Sequence, residues 1–167
     1  MKTLQKHPFV MLALGVVLGA SFLLIKPHQP VKASAANGND KFSMCTCRVT
    51  LGESEAVFVL DHLTGVLSGG FLNSQSNSFS HRYLRTVALD FQLNPATPEP
   101  KYSMVAGDAQ LRTSGGVQPA NGLIYVAELT SGAVIAYGFA APRGRGAAGP
   151  LEIFRIDGFQ FRESSGG

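Results

Sequence analysis

Two cysteines separated by a single residue, Cys45-Thr46-Cys47, are the residues of this chain whose type and spacing most invite chemistry. In an extended strand both thiols share a face, with Cα atoms ~6.6 to 6.8 Å apart at the ordinary rise per residue. That separation lies at the outer limit of disulfide geometry, so a bond between them would be strained and easily reduced, which is how a redox role would arise. The same pair offers two soft ligands, and His62 and His81 would complete a tetrahedral zinc set. No second Cys or His pair at ligand spacing accompanies them, so burial of the thiols, or a bond to another chain, is the competing reading. Cys45, Cys47, His62 and His81 stand as metal candidates only, and no metal or cofactor is assigned.

Hydrolytic chemistry has less support. The chain has no Gly-x-Ser-x-Gly elbow, no phosphate-binding glycine loop and no His-Glu-x-x-His helix. The glycine-rich GRGAAG at 144–149 lacks the Lys-Ser/Thr ending that a phosphate loop requires. His62 stands beside Asp61 in a hairpin loop, where solvent exposure accounts for it, and His81 stands beside Arg82 in a polar segment. With no nucleophile–base pair visible, the reading leans away from an enzyme, and no catalytic residue is assigned.

Charge narrows the partners. The 167 residues carry a net +3, but Lys2, Lys6, Lys26 and Lys32 all precede Ala36. Beyond that point ten basic residues face all 11 acids, a net of −1. A near-neutral domain lacks the basic footprint of phosphate binding, so nucleic acid is excluded as a partner.

Residues 9–25, FVMLALGVVLGASFLLI, hold no charge and a single serine. As a helix this run would reach about 26 Å, enough to cross a slightly thinned hydrocarbon core of about 30 Å. Lys2 and Lys6 precede it and keep residues 1–8 cytoplasmic by the positive-inside rule, so the chain beyond residue 25 is extracytoplasmic. An uncleaved signal anchor is the first reading. The alternative is secretion after cleavage near Ala35, since Ala33-Ser34-Ala35 has the small-x-small form. Residues 26–41 carry Pro, Ala, Asn and Gly without apolar periodicity and read as a flexible linker.

From 42 to 162 the apolar residues come in short runs punctuated by turn residues, the mark of an all-β domain. Strands are expected at 42–50, 56–60, 66–72, 83–93, 102–111, 123–128, 134–139, 151–156 and 159–162. The run 83–93, YLRTVALDFQL, could also form a short helix. Asp157-Gly158 reads as the type I′ turn of a closing hairpin, and residues 163–167 as a disordered tail. Loops fall at 74–78, 94–100, 112–122 and 141–150, the last exposed and mobile.

Two stretches match in pattern: AVFVLDHLTGVLSGGFL at 56–72 and LIYVAELTSGAVIAYGF at 123–139. In each, an acid (Asp61 or Glu128) ends an apolar run. After two intervening residues comes Thr64-Gly65 or Ser131-Gly132, and then a second apolar run. Glycine supplies the left-handed position of a hairpin, and the acid and hydroxyl cap the turn from within, so the acids are structural by default.

The pattern V-F-V-L-D-H-L-T-G-V-L resembles the strand–turn–strand of quinoprotein-type β-propeller repeats, from which the second copy departs at Glu128 and Ser131. Propeller blades take ~40 to 45 residues and at least four close a ring, so residues 42–162 cannot make one, and the quinoprotein cofactor is not carried over. Over its whole length the chain is similar to an uncharacterised family of single-anchor bacterial envelope proteins. The similarity rests on the amino-terminal apolar segment, N-P-A…P-K-Y-S-M-V-A-G, Y-V-A-E-L-T-S-G-A-V-I-A-Y and the closing Q-F-R. It implies location and no activity.

The combined expectation is one transmembrane helix followed by a small all-β domain, an antiparallel sheet assembly, sandwich or partial propeller. Its role would be binding, scaffolding or service as an accessory subunit of an envelope complex, with a protein partner or a homo-oligomer. The alternative is an envelope redox or metal protein using Cys45 and Cys47.

Overall fold

A computed structural model describes Gly15 and residues 36–50, 55–93, 100–113, 116–144 and 149–162 of the chain. The run at 9–25 lies outside the described residues apart from Gly15. Among the described residues no helix is long and apolar enough to cross a membrane. The expected tail at 163–167 also lies outside them.

The domain is all-β. Its strands are β1 (Ala36–Gly38), β2 (Phe42–Arg48), β3 (Glu55–Asp61), β4 (Val66–Asn73), β5 (Ser78–Thr86), β6 (Tyr102–Asp108), β7 (Gly122–Glu128), β8 (Ala133–Phe139) and β9 (Leu151–Gln160). They form one sheet in the order β1-β2-β3-β4-β5-β9-β8-β7-β6. The sheet curls until β2 lies alongside β6, which nearly closes a barrel. This single curled layer replaces the expected sandwich or set of blades.

Two antiparallel meanders of four strands, β2 to β5 and β6 to β9, make up the barrel. A short parallel ladder joins their last strands, Tyr83 opposite Leu151 and Leu84 opposite Glu152. Because β5 and β9 run in the same direction, β4 and β8 do too, and the two acid–glycine hairpins emerge at the same end of the barrel. Each meander carries its copy of the matched stretch between its second and third strands. Alternation in β3 sends Ala56, Phe58 and Leu60 inward, and the rings of Phe58, Tyr83 and Phe139 meet at 4.8 to 5.4 Å between centroids. Three large rings buried together supply much of the hydrophobic driving force, at roughly 2 to 3 kcal/mol each.

Three segments differ from expectation. The sheet begins at Ala36, inside the expected linker, because β2 offers an edge that Ala36, Asn37 and Gly38 pair with. The strand expected to begin at 83 begins at Ser78, the last residue of the expected loop at 74–78, and Ser80 is the extra residue of a bulge between Phe71–His81 and Leu72–Phe79. After Thr86 the chain leaves the sheet in a 3-10 turn, Val87–Leu89, so the expected strand at 83–93 is part strand and part helical turn.

Asp157-Gly158 is not a hairpin turn. Both residues lie inside β9, opposite Ala136 and Ile135, and Ile156 is the extra residue of a bulge next to the Tyr137–Arg155 pair. Asp-Gly is a favoured pair for a tight turn, but here the bulge falls one residue earlier, at Ile156, and the pair stays in the ladder. The partner strand β8 continues past the kink and keeps β9 extended.

Candidate functional site

The matched hairpins are built as their local chemistry dictates. Asp61 accepts from the Leu63 N–H through Oδ1 and from the Thr64 hydroxyl through Oδ2, both at 2.9 Å. Those hydrogen bonds hold its carboxyl below the usual aspartate range. Gly65 closes the turn onto the Asp61 carbonyl at 2.9 Å with φ +63°, and Gly132 does the same onto Glu128 at 3.0 Å with φ +68°. Glu128 is fully buried, where Asp61 is half-exposed. Burial pushes the Glu128 carboxyl up, but the N–H groups of Ser131 and Thr130 outweigh it and hold the group below its ordinary value. A third donor, the Lys101 N–H, reaches Glu128 Oε1 at 3.3 Å. These acids hold turns.

The four metal candidates are not brought together. Cys45 and Cys47 are free and buried, facing the core from β2. The Cys47 thiol donates to the Leu123 carbonyl at 3.4 Å. The neighbouring Cys45 thiol, reinforced by burial, pushes it far above the ordinary thiol range. His62 sits at the hairpin end of the barrel, just past β3, and His81 at the opposite end, on β5 opposite Phe71. Among the described residues no group of three or more His, Cys, Asp or Glu is placed to hold a metal. In the folded full chain neither thiol is expected to react with an aromatic disulfide reagent, and both should react in urea. A native thiol titrating at once would overturn this burial.

His62 is not exposed. Its backbone N–H bonds the Lys41 carbonyl at 2.9 Å, so pairing continues one residue past β3 and the side chain turns inward in step with Phe58 and Leu60. There Nε2 meets the Ser43 hydroxyl at 2.9 Å and the ring lies 5.7 Å from that of Tyr102. The period-two run Ala56, Phe58, Leu60, His62 carried that signal. His81 is also buried. The Arg143 carbonyl can only accept, so Nε2 carries the proton toward it at 3.2 Å, and Nδ1 accepts from the Ser80 hydroxyl at 2.9 Å.

The barrel seam is the most unusual surface. At the end away from the matched hairpins it is closed: the Asn121 N–H bonds the Val49 carbonyl at 2.9 Å and Arg48 lies 3.7 Å from Asp108. A Cβ on Gly122 would fall 2.5 Å from the Arg48 carbonyl oxygen, so only glycine allows that approach. At the hairpin end β1 and β6 stand apart around a groove of about 480 Å³, with Asn37, Gly38 and Asp40 on one wall and Tyr102, Met104 and Val105 on the other.

Both walls are strand edges with backbone groups to spare. The bonds from Leu129 N–H to Lys101 and from Ala109 N–H to Asn121 mark the odd-numbered residues of β6 as those bonded to β7. The N–H and C=O of Tyr102, Met104 and Ala106 therefore point into the seam. On β1 the bond from Asn39 N–H to Phe42 leaves Ala36 and Gly38 facing the same way. Beneath the groove Tyr102 is buried with its hydroxyl lacking a partner among the described residues. Burial and the nearby Glu128 charge push that phenol up to about 12. Nothing in the sequence marked β6 as an edge, because alternation is the same in edge and inner strands.

Comparison of the chain with protein-family models, with curated proteins and with solved structures finds no match.

Proposed function

We propose that the chain is a membrane-tethered, extracytoplasmic β domain that binds an extended polypeptide segment and so serves as a scaffold or accessory subunit of an envelope complex. The observation that carries the reading is the free edge of β6 beside the open groove. Unpaired edges template strand addition, in which main-chain hydrogen bonds supply affinity and alternate side chains supply specificity. The exposed Phe42, Met44, Val105 and Tyr125 flank the seam on the outer face and suit a partner with apolar residues at every second position. The uncharged run at 9–25 behind Lys2 and Lys6 supports the tether. The secretory alternative also has an observation in its favour: cleavage after Ala35 would leave Ala36, the first residue of β1, as the new amino end. The intact mass of the protein recovered from membranes separates the two.

A lysine-flanked peptide of alternating Val and Thr tests the binding role on the full chain. It should slow hydrogen exchange at the Met104 and Ala106 amides, and the same peptide N-methylated at alternate residues should not. Ala106→Pro removes one seam-facing N–H without touching the β6–β7 ladder, so it should abolish protection at the Met104 amide while leaving the urea midpoint near wild type. Equal effects from both peptides would sink strand addition. So would concentration-dependent protection without peptide, which would make a second copy the occupant.

A further inference from the structure

Four strands away from the seam, across the barrel, the joint between the meanders opens into a second cavity. The parallel ladder is only two residue pairs long. Beyond it β5 turns off into Val87–Leu89, while β9 continues along β8 to Gln160. The gap encloses about 280 Å³, with Phe91 and Gln92 on one side, Ile135 at its floor, and Arg155, Phe159 and Gln160 on the other. That volume falls at the small end of ligand sites.

The polar groups of this cavity leave one charge without a partner. Both oxygens of Asp90 are taken: Oδ1 accepts from Arg85 Nη2 at 2.7 Å, and Oδ2 accepts from Arg85 Nε at 2.7 Å and from the Tyr137 hydroxyl at 2.9 Å. Arg155 lies close enough to feel the Asp90 charge, yet makes no ion pair or side-chain hydrogen bond among the described residues. With Asp90 balanced by Arg85, the cavity carries the single positive charge of Arg155.

The backbone keeps that charge accessible. The bulge at Ile156 shifts the alternation of β9, so Arg155 opposite Tyr137 and Gly158 opposite Ile135 share the inner face. A Cβ on Gly158 would come 2.9 Å from the Val134 carbonyl oxygen and 3.3 Å from Arg155 Nη2, so glycine leaves the space beside the guanidinium empty. At the rim Gln92 holds φ +51°, a left-handed conformation uncommon outside glycine and found often at binding sites. Bulges likewise recur where a strand re-aims a side chain toward a site.

We infer that this cavity binds a small amphipathic carboxylate, its anionic end on the Arg155 guanidinium and its apolar body against Phe91 and Ile135. A planar carboxylate fits the guanidinium fork with two parallel hydrogen bonds. A phosphate dianion would need a second free cation and would face Asp90, so one unpaired arginine selects a monoanion.

Benzoate and benzamide, which share size and shape and differ in charge, test the assignment by titration into isotope-labelled full-length protein. Benzoate should shift the Ile135 methyl and Gly158 amide signals saturably, with a Kd on the order of 1 mM for so small a ligand. Benzamide should bind at least tenfold more weakly, as should inorganic phosphate. Arg155→Gln should raise the benzoate Kd by about tenfold or more, the worth of a charge-assisted hydrogen bond, with an unchanged urea midpoint because Arg155 is exposed. Equal binding of benzoate and benzamide, unchanged binding to the Arg155→Gln protein, or the absence of saturable shifts at Ile135 and Gly158 would each overturn the proposal. Phosphate binding as tightly as benzoate would overturn the carboxylate assignment.

Discussion

Replacement of Asp90 by alanine is expected to remove about 3 kcal/mol of folding free energy, read from urea denaturation of the full chain. Asp90 lies just past the 3-10 turn and folds back on Arg85, five residues earlier, through two parallel hydrogen bonds of 2.7 Å. The third arm of that guanidinium, Nη1, donates to the Ile153 carbonyl at 2.8 Å. Ile153 follows the last residue of β9 in the parallel ladder, so the Arg85 side chain extends a ladder that the backbone has abandoned. Tyr137, fully buried on β8, completes the set through its hydroxyl and carries the Arg85 guanidinium 5.5 Å from its ring centre. Without Asp90 a buried phenol loses its acceptor and a half-buried guanidinium keeps only the Ile153 carbonyl. The expected loss sits at the low end for a broken buried pair because water still reaches part of Arg85.

Two controls apportion the effect. Tyr137→Phe removes donor and need together and should cost about 1 kcal/mol. Asp90→Asn keeps the shape and one acceptor, so it should fall between that value and alanine. A loss below about 0.5 kcal/mol for Asp90→Ala, the scatter of ordinary surface substitutions, would show that the joint is held by the two-pair ladder alone.

Glu128→Ala and Asp61→Ala form the second test, because the same motif should give unequal results. Glu128 is fully buried and accepts from three backbone N–H groups, those of Lys101, Thr130 and Ser131. Its removal leaves those donors dry and should cost about 2 to 4 kcal/mol. Asp61 caps its turn at the surface, where water replaces the carboxylate, and its alanine variant should be close to wild type. Equal losses at the two positions would mean that the turn geometry, and not the burial of its acid, sets the cost.

The pH dependence has its origin in the same geometry. The folded Glu128 and Asp90 carboxyls are held below their unfolded values, by turn N–H groups in one case and by Arg85 and Tyr137 in the other. The stability they contribute is therefore complete above the unfolded carboxylate range of about 3.9 to 4.3. It is lost as the pH falls through the lower folded values. Glu128→Gln should flatten this acid limb, since an amide does not titrate there.

Much of the local architecture was readable in the residues themselves. An acid, two residues and a hydroxyl–glycine pair specify a capped hairpin, because every atom that closes it lies within five consecutive residues. Period-two alternation in 56–60 and 134–139 put the right faces in the core for the same reason. That alternation, followed two residues further, would also have turned His62 inward. The Asp157-Gly158 pair misled because its meaning is not local: the same two residues make a turn or stay within a strand according to whether a partner strand continues beside them.

By itself, then, the sequence determined an all-β domain, its hairpins and its apolar faces, since these depend on neighbours along the chain and on a repeat of two. Only the tertiary structure decided that β5 and β9 lie parallel, which joins residues 68 positions apart such as Tyr83 and Leu151. That one pairing places both acid–glycine hairpins at the same end, makes β6 a free edge and opens the cavity around Arg155. Strand order is set by which edges are covered once the sheet curls, and residues in edge and inner strands alternate alike.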